Sequence, residues 1–281
     1  MGHYKKLRLL IKRISILGCG WLGLPLGAAL ARKGYEVKGS TTSPEKLEKL
    51  REQGIEPYLI RVNDTVEGPE KESFFDAELL ILNIPPGGRR NPEVEEQYPQ
   101  KVKAVLKQVH SGSVQYLIFI SSTSVYGDEN REVKEEDEPC PTTPSARALV
   151  VIERYLALLQ HPRITVLRMA GLVGGSRKPG RFLAGKKDVP DGEAPVNLVH
   201  LDDCIGLIEA VVEQGAWGHT FNVCADQHPT RAAFYSAQAK KEGLEPPTFR
   251  AGHELSYKAV SNEKAKKVLG YTFRHPDPMA F

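Results

Sequence analysis

The run Gly18-Cys19-Gly20-Trp21-Leu22-Gly23 follows at once on the apolar, β-branched segment ISIL at residues 14–17 and opens onto LPLGAALARKG. No other stretch limits the fold so tightly. A short run like ISIL suits a strand buried on both faces of a parallel sheet. The segment after the glycines reads as a helix that closes at Gly34, and YEVKGS supplies a second strand. Between a strand and a helix, G-x-G-x-x-G has a physical meaning. Gly18 permits a tight turn, Gly20 lets the backbone approach phosphates, and Gly23 lets the helix pack close to the strand. The amides of Trp21 and Leu22 then point at a pyrophosphate from the helix N-terminus. The glycines alone are weak evidence. In this setting of strand, helix and second strand they predict a dinucleotide site.

The end of the second strand selects the dinucleotide. A carboxylate about 20 residues past the glycines binds the ribose hydroxyls of NAD. Here that place is STTSPEK, with Thr41 where the acid would stand. Nothing there repels a 2′-phosphate. Ser40, Thr41 and Thr42 offer hydroxyl donors, and Lys46 offers charge from the next helix. NADP is therefore expected, with NAD as the alternative, although no Arg is present. The plainer reading of TTSP is a loop and N-cap before the helix PEKLEKLREQG.

The alternation continues with EPYLIRV as a third strand and AELLILNI as a fourth, which ends in the loop PPGGRRNP. A helix over about residues 93–110 and VQYLIFI as a fifth strand follow. This order predicts an α/β chain with a Rossmann-type, doubly wound parallel sheet and a smaller C-terminal substrate lobe. The expected division is an N-terminal extension at 1–12, a dinucleotide-binding domain at 13–169, and a lobe at 170–281 from which about 196–224 returns to the core. Ligands in such sheets lie at the carboxyl ends of strands. The glycine turn, residues 40–42, Ile84 in the NIPPGG loop and the residues after Ile120 then border one crevice.

Composition excludes other classes. The 281 residues carry 38 basic and 35 acidic side chains, a net +3, with no basic stripe to argue for nucleic acid. Cys19, Cys140, Cys204 and Cys224 form no Cys-x-x-Cys pair and share no metal-ligand spacing with histidines, so no metal is expected. Free thiols suit a reducing cytoplasm. The opening MGHYKKLRLLIKR has too short an apolar run for a signal segment. No stretch nears the roughly 18 apolar residues of a membrane span. A cytoplasmic protein with a small-molecule substrate is expected. Homo-oligomerisation is left open.

YLIFISSTSVYGD, residues 116–128, resembles the extended short-chain dehydrogenase/reductases, which include nucleotide-sugar epimerases and dehydratases. Their fifth strand ends in an (S/T)xxVYG-type motif, and the resemblance implies that Ser122 contacts the reacting substrate oxygen. EEDEPCPTTP, ITVLRMAGLVG, VNLVHLDD and GHTFNV match further family motifs in order, over roughly residues 13–271. Of these residues, Arg168 reads as a structural ion-pair partner, and Asp202 or Asp203 as the cap of the helix CIGLIEAVVEQG.

The resemblance also implies a helix carrying Tyr-x-x-x-Lys with a Glu four residues later. Glu153 sets that register, and it returns Ser145 for the Tyr and Leu149 for the Lys. None of the ten tyrosines is followed four positions later by a lysine. The pair works because a spacing of four puts both groups on one helix face. The ammonium then lowers a phenol pKa that is otherwise about 10. A serine lacks that acidity, a leucine lacks the charge, and Arg147 lies on roughly the opposite face. Three readings follow, of which a reductase of another Rossmann lineage, suited by a 6-phosphogluconate-dehydrogenase-like start in GCGWLGLPLGAAL, is opposed by the SSTSVYG and VNLVHLDD motifs. Of the remaining two, one is an atypical oxidoreductase or epimerase in which Tyr126, His200 or the GGRR loop assists Ser122. The other is a degenerate dinucleotide-binding sensor or scaffold. In the lobe, Arg177, Lys178, Arg181, Lys186 and Lys187 suit an anionic substrate such as a nucleotide diphosphate sugar, or simply a solvated loop.

Overall fold

The computed structural model describes residues 11–87, 91–252 and 255–281. Seven strands, β1 (Arg13–Leu17), β2 (Glu36–Thr41), β3 (Glu56–Leu59), β4 (Leu79–Leu82), β5 (Tyr116–Ser122), β6 (Arg163–Met169) and β7 (Thr220–Val223), form one sheet in the order β7-β6-β5-β4-β1-β2-β3. The pairs β1–β2, β1–β4, β2–β3 and β4–β5 are all parallel. Strand order reverses at β1, which makes the end of β1 the switch point where doubly wound sheets bind ligands. The expected Rossmann-type fold is the one observed.

The apolar runs explain the layering. All four residues of β4 are 0% exposed, as a strand covered on both faces requires. Each such Leu or Ile contributes roughly 1.5–3 kcal/mol through burial. The helices are α1 (Gly23–Arg32), α2 (Leu47–Arg51), α3 (Lys71–Phe75), α4 (Val94–Ser111), α5 (Pro144–Ala157), α6 (Leu201–Gln214), α7 (Arg231–Lys241) and α8 (Glu263–Leu269). Helix α5 starts where it does for a local reason. Thr143 Oγ1 accepts the Ala146 amide at 3.3 Å, and Pro144 occupies the first turn. Its apolar residues Leu149, Ile152 and Leu156 then recur on the face it buries.

Two expected elements are shorter than their sequences suggest. EPYLIRV ends as a sheet strand at Leu59. Arg61–Val62 instead pairs antiparallel with Val66–Glu67 across the polar turn Asn63-Asp64-Thr65. PEKLEKLREQG begins as a 3-10 turn at Pro44–Lys46, so only Leu47–Arg51 is α-helical before Gly54 takes φ +73°.

The chain divides into two compact units. The first holds residues up to Val125 together with Pro141–Leu167 and Ile208–Thr220. The second holds Tyr126–Cys140, Arg168–Leu207 and Phe221–Phe281. In the second unit Gly171–Val173 pairs with Leu198–His200, and Lys258–Val260 with Arg131–Val133, both in parallel. Its small core is Val173, Val196, Leu198 and Phe234, with Tyr235 and Phe281 packed against it.

Candidate functional site

The glycine turn sits in the first unit between β1 and α1, clamped from both neighbouring strands. Gly18 takes φ +107°, a conformation that L side chains rarely adopt. Its amide donates to Ser40 Oγ at the end of β2, 2.9 Å away. Its carbonyl accepts from Asn83 Nδ2, just beyond β4, also at 2.9 Å. A Cβ at Gly18 would lie 2.8 Å from the Asn83 carbonyl oxygen, and one at Gly23 only 2.3 Å from the Gly18 oxygen. Both glycines are thus demanded by the protein's own packing. Gly20 differs. It is exposed, and a Cβ there would meet nothing within 4 Å.

Helix α1 begins immediately after. Its N-cap, Leu22, supplies no side-chain hydrogen bond, so the helix end presents backbone donors and a positive dipole end. Trp21 is half-buried and Leu22 is buried. At the tip of β2 the three hydroxyl residues separate by role. Ser40 is buried and engaged with Gly18, while Thr41 is buried and its Oγ1 accepts the Ser43 amide at 3.1 Å. Thr42 is exposed. In the loop after β4, the Ile84 carbonyl accepts a hydrogen bond from the buried Tyr98 hydroxyl at 3.0 Å, which ties the NIPPGG segment to α4. These groups fit a dinucleotide: an open glycine surface, an uncapped helix start, and a second strand whose tip carries no acid.

Ser122 ends β5 half-buried, and its Oγ accepts the Ser124 amide at 3.1 Å. The preceding Ser121 donates to Glu153 Oε1 of α5 at 2.5 Å, with both residues buried. That bond holds Glu153 against the end of β5. One turn earlier along the helix stands Leu149, 3% exposed, and one turn before that the half-buried Ser145. Arg147 is exposed and engaged elsewhere. Its guanidinium donates to Glu95 of α4 and to the Thr142 carbonyl.

In the second unit the other groups weighed for acid–base work are held by structural bonds. Tyr126 donates to Asn222 Oδ1 at 2.9 Å and accepts from Arg168 at 2.6 Å. Burial pushes its phenol up to about 12 despite the nearby guanidinium, a poor match to proton transfer near neutrality. Arg168 also lies over the Tyr126 ring, 4.9 Å from its centroid. His200 is half-buried, and its pKa is lowered by burial and then by the neighbouring His275. Within the GGRR loop, residues 88–90 lie outside the described residues. Of the basic residues in the lobe, Arg181 faces Glu242 at 3.6 Å and Lys187 faces Glu245 at 2.5 Å.

The capping role expected of Asp202 or Asp203 is corrected. The Asp202 amide donates to His200 Nδ1 at 3.2 Å, so an imidazole takes the acceptor's part at the start of α6. Asp203, fully buried, instead accepts from the Tyr271 hydroxyl and from the Arg274 and His275 amides at 2.9, 2.7 and 2.9 Å. Three donors from a distant segment outcompete its own helix end for the carboxylate. Sequence reasoning also missed Asn83, His275 and the Ser121–Glu153 bond. Only Asn83 carried a signal, as a polar residue ending the apolar run LLIL.

Solved structures share this architecture. A UDP-glucose-4-epimerase from Stenotrophomonas maltophila, with bound NAD and a formylated UDP-arabinopyranose, superposes with TM-score 0.80 at 18% identity, covering 95% of each chain. A short-chain dehydrogenase/reductase superfamily protein from Agrobacterium tumefaciens, with bound NAD, gives TM-score 0.78 at 19% identity over 95% of this chain and 94% of that one. The fold of this chain is therefore the one these two proteins share. No model of a known protein family matches the chain. It belongs to the family of Protein YeeZ from Escherichia coli K12, with which it is 39% identical over 272 residues, 96% of this chain and 98% of that protein.

Proposed function

We propose that this chain binds NADP through the glycine turn and acts as an atypical oxidoreductase or epimerase on a small, nucleotide-sugar-like substrate. The contrast among the three glycines carries the reading. Gly18 and Gly23 are required by protein contacts, whereas Gly20 stands exposed with nothing within 4 Å of a Cβ placed on it. It stands where the fingerprint brings backbone against phosphate, so the space beside it fits a ligand. Two neighbours in fold hold NAD, and one of them also holds a UDP-sugar derivative, which supports the same class of ligands here. The nicotinamide, when bound, supplies reversible hydride exchange. Trp21, Leu22 and Gly23 at the start of α1 hold the pyrophosphate. Thr41 and Thr42, without an acid beside them, admit a 2′-phosphate and favour NADP over NAD.

Ser122 is the catalytic residue in this reading and holds the substrate's reacting oxygen by a hydrogen bond. It has no proton reservoir of the Tyr/Lys kind, because Ser145 and Leu149 occupy those places. General acid–base groups contribute about a hundred- to ten-thousand-fold in rate. Turnover is accordingly expected to fall that far below assays typical of Tyr/Lys members. The lobe's exposed basic residues favour an anionic substrate, and three buried free cysteines with one exposed suit the cytoplasm.

Calorimetric titration with NADP and NAD, followed by turnover assays on a panel of UDP-sugars, carbonyls and alcohols, tests the proposal. NADP should bind the more tightly. Weak turnover should vanish in Ser122→Ala and scarcely change in Ser145→Ala. Absence of binding by either dinucleotide refutes the proposal. Binding without any turnover across the panel replaces it with a sensor or scaffold. Robust activity that collapses in Ser145→Ala overturns the account of α5.

A further inference from the structure

His200, Asp202 and His275 meet in the second unit although 73 residues separate Asp202 from His275. One donor atom from each lies within 4.8 Å of the other two. Asp202 Oδ2 is 3.4 Å from His200 Nδ1 and 3.1 Å from His275 Nε2. Two donors bound tetrahedrally to one Zn2+ at about 2.0–2.1 Å are separated by about 3.3–3.4 Å. Both measured edges are close to that value.

His275 Nε2 and Asp202 Oδ2 share a hydrogen bond at 3.1 Å, while His200 Nδ1 faces the same carboxylate without one. Because the Asp202 amide donates to His200 Nδ1, that nitrogen carries a lone pair and the ring proton sits on Nε2. Nδ1 then faces a carboxylate oxygen as acceptor to acceptor. An ion between them is held by both, with Nδ1 exchanging the amide for the metal, His275 Nε2 exchanging its hydrogen bond to Asp202, and the two rings, now 3.9 Å apart, turning to aim at it. The supports are also in place. Buried Asp203 accepts the Arg274 and His275 amides and so fixes the backbone that carries the third ligand. His200 ends the strand Leu198–His200, and Asp202 lies in the first turn of α6. The Phe281 ring lies 5.6 Å from the His200 ring and 6.1 Å from that of His275. Ligands held by outer partners in this way are the ordinary design of a metal site.

We propose that His200, Asp202 and His275 bind one divalent first-row transition ion, with Zn2+ the natural probe. The ion ties the segment around His275 to the start of α6. The side chains of Asp202 and His275 are 50% and 33% exposed, so an ion can enter from solvent and keep water in its remaining positions. Two imidazoles and one carboxylate suit a borderline ion such as Zn2+ and are a poor match for Mg2+ or Ca2+, which prefer all-oxygen shells.

The test uses the full chain stripped with chelator and titrated with ZnCl2 by calorimetry, alongside thermal melts. One Zn2+ per chain and a rise in melting temperature are expected. Affinity should fall tenfold or more in both Asp202→Asn and His275→Gln, and the thermal shift should disappear in each. The Asp202 side chain is half-exposed, so Asp202→Asn should fold, and circular dichroism checks this. Co2+ in place of Zn2+ should give visible ligand-field bands that both variants lose. Cys140→Ser controls for the exposed thiol and should change nothing. The proposal is overturned if Zn2+ fails to bind, binds equally well to both variants, or is lost in Cys140→Ser. None of these readouts depends on dinucleotide binding.

Discussion

Substituting two of the fingerprint glycines in parallel should separate folding from binding. In Gly23→Ala the new methyl carbon would lie 2.3 Å from the Gly18 carbonyl oxygen and 3.1 Å from Asn83 Nδ2. The first contact is with backbone that the hydrogen bond from Asn83 holds in place, so relief requires α1 to move off the turn. Overpacking of this kind costs about 1–3 kcal/mol. In a protein of roughly this size, each kcal/mol lowers the melting temperature by about 2–4 °C. Gly20→Val meets no protein atom within 4 Å of its Cβ and has no positive φ to strain, so its melting temperature should stay within about 1 °C of the parent. NADP affinity should respond in the opposite order of severity. Gly20→Val places a branched side chain on the open surface proposed for the pyrophosphate and should abolish binding, while folded Gly23→Ala should retain part of it. Scanning fluorimetry and NADP calorimetry on both variants make the comparison. Unchanged NADP affinity in folded Gly20→Val would falsify the proposed site, and a normal melting temperature in Gly23→Ala would refute the packing argument.

Three other perturbations extend the test. Thr41→Asp should fold normally, because a carboxylate can take over acceptance of the Ser43 amide, and it should lose NADP affinity through repulsion with little gain for NAD. Equal NADP affinity in the two proteins counts against the cofactor assignment. Asp203→Ala removes the acceptor of two backbone amides and leaves the Tyr271 hydroxyl only a 3.5 Å contact to the backbone carbonyl at that position, at roughly 1–3 kcal/mol for each bond lost. Urea denaturation should therefore show a loss of several kcal/mol, and a loss below about 0.5 kcal/mol contradicts the anchoring role. At Glu78, burial opposes ionisation, but the Arg13 guanidinium and the Arg13 and Lys12 amides outweigh it and hold the carboxyl below its ordinary value. Its stabilisation is complete above the unfolded pKa, about 4.3, and is lost as the pH falls through the folded value. The melting-temperature gap between the parent and Glu78→Gln should close on acidification, and a constant gap from pH 7 to pH 3 rejects this.

The legible parts of the sequence were those whose physics is local. Gly18 must be glycine because its own φ is +107°, and that requirement is written into a few adjacent residues. The buried strands β1 and β4 announce themselves through unbroken apolar runs. Asn83 showed only as a polar residue ending LLIL, because its role depends on β4 lying beside β1, which brings it to a carbonyl 65 residues away. Asp203 misled for a related reason. An acid at a helix start looks like a cap until three donors from residues 271–275 arrive to claim it. The end of β3 failed differently, since EPYLIRV is apolar enough to continue and only the turn beyond it redirects the chain. At α5 the substitutions were plain in the sequence, but the pairing of Arg147 with Glu95 required the packing of α4 against α5.

The double grip on Gly18 also restricts how this lineage can retune itself. Ser40 stands at the strand tip where a change of cofactor preference would ordinarily be written, yet its hydroxyl is already committed to the Gly18 amide. Exchanging Ser40 for a charged or bulky residue would loosen the glycine turn while it altered the proposed ribose contact, so one substitution would disturb two traits at once. Thr42, exposed and outside that grip, carries no such double duty. If the turn binds a dinucleotide as proposed, a change of preference is channelled through the outer hydroxyl position, and Ser40 should resist replacement for the sake of the turn itself.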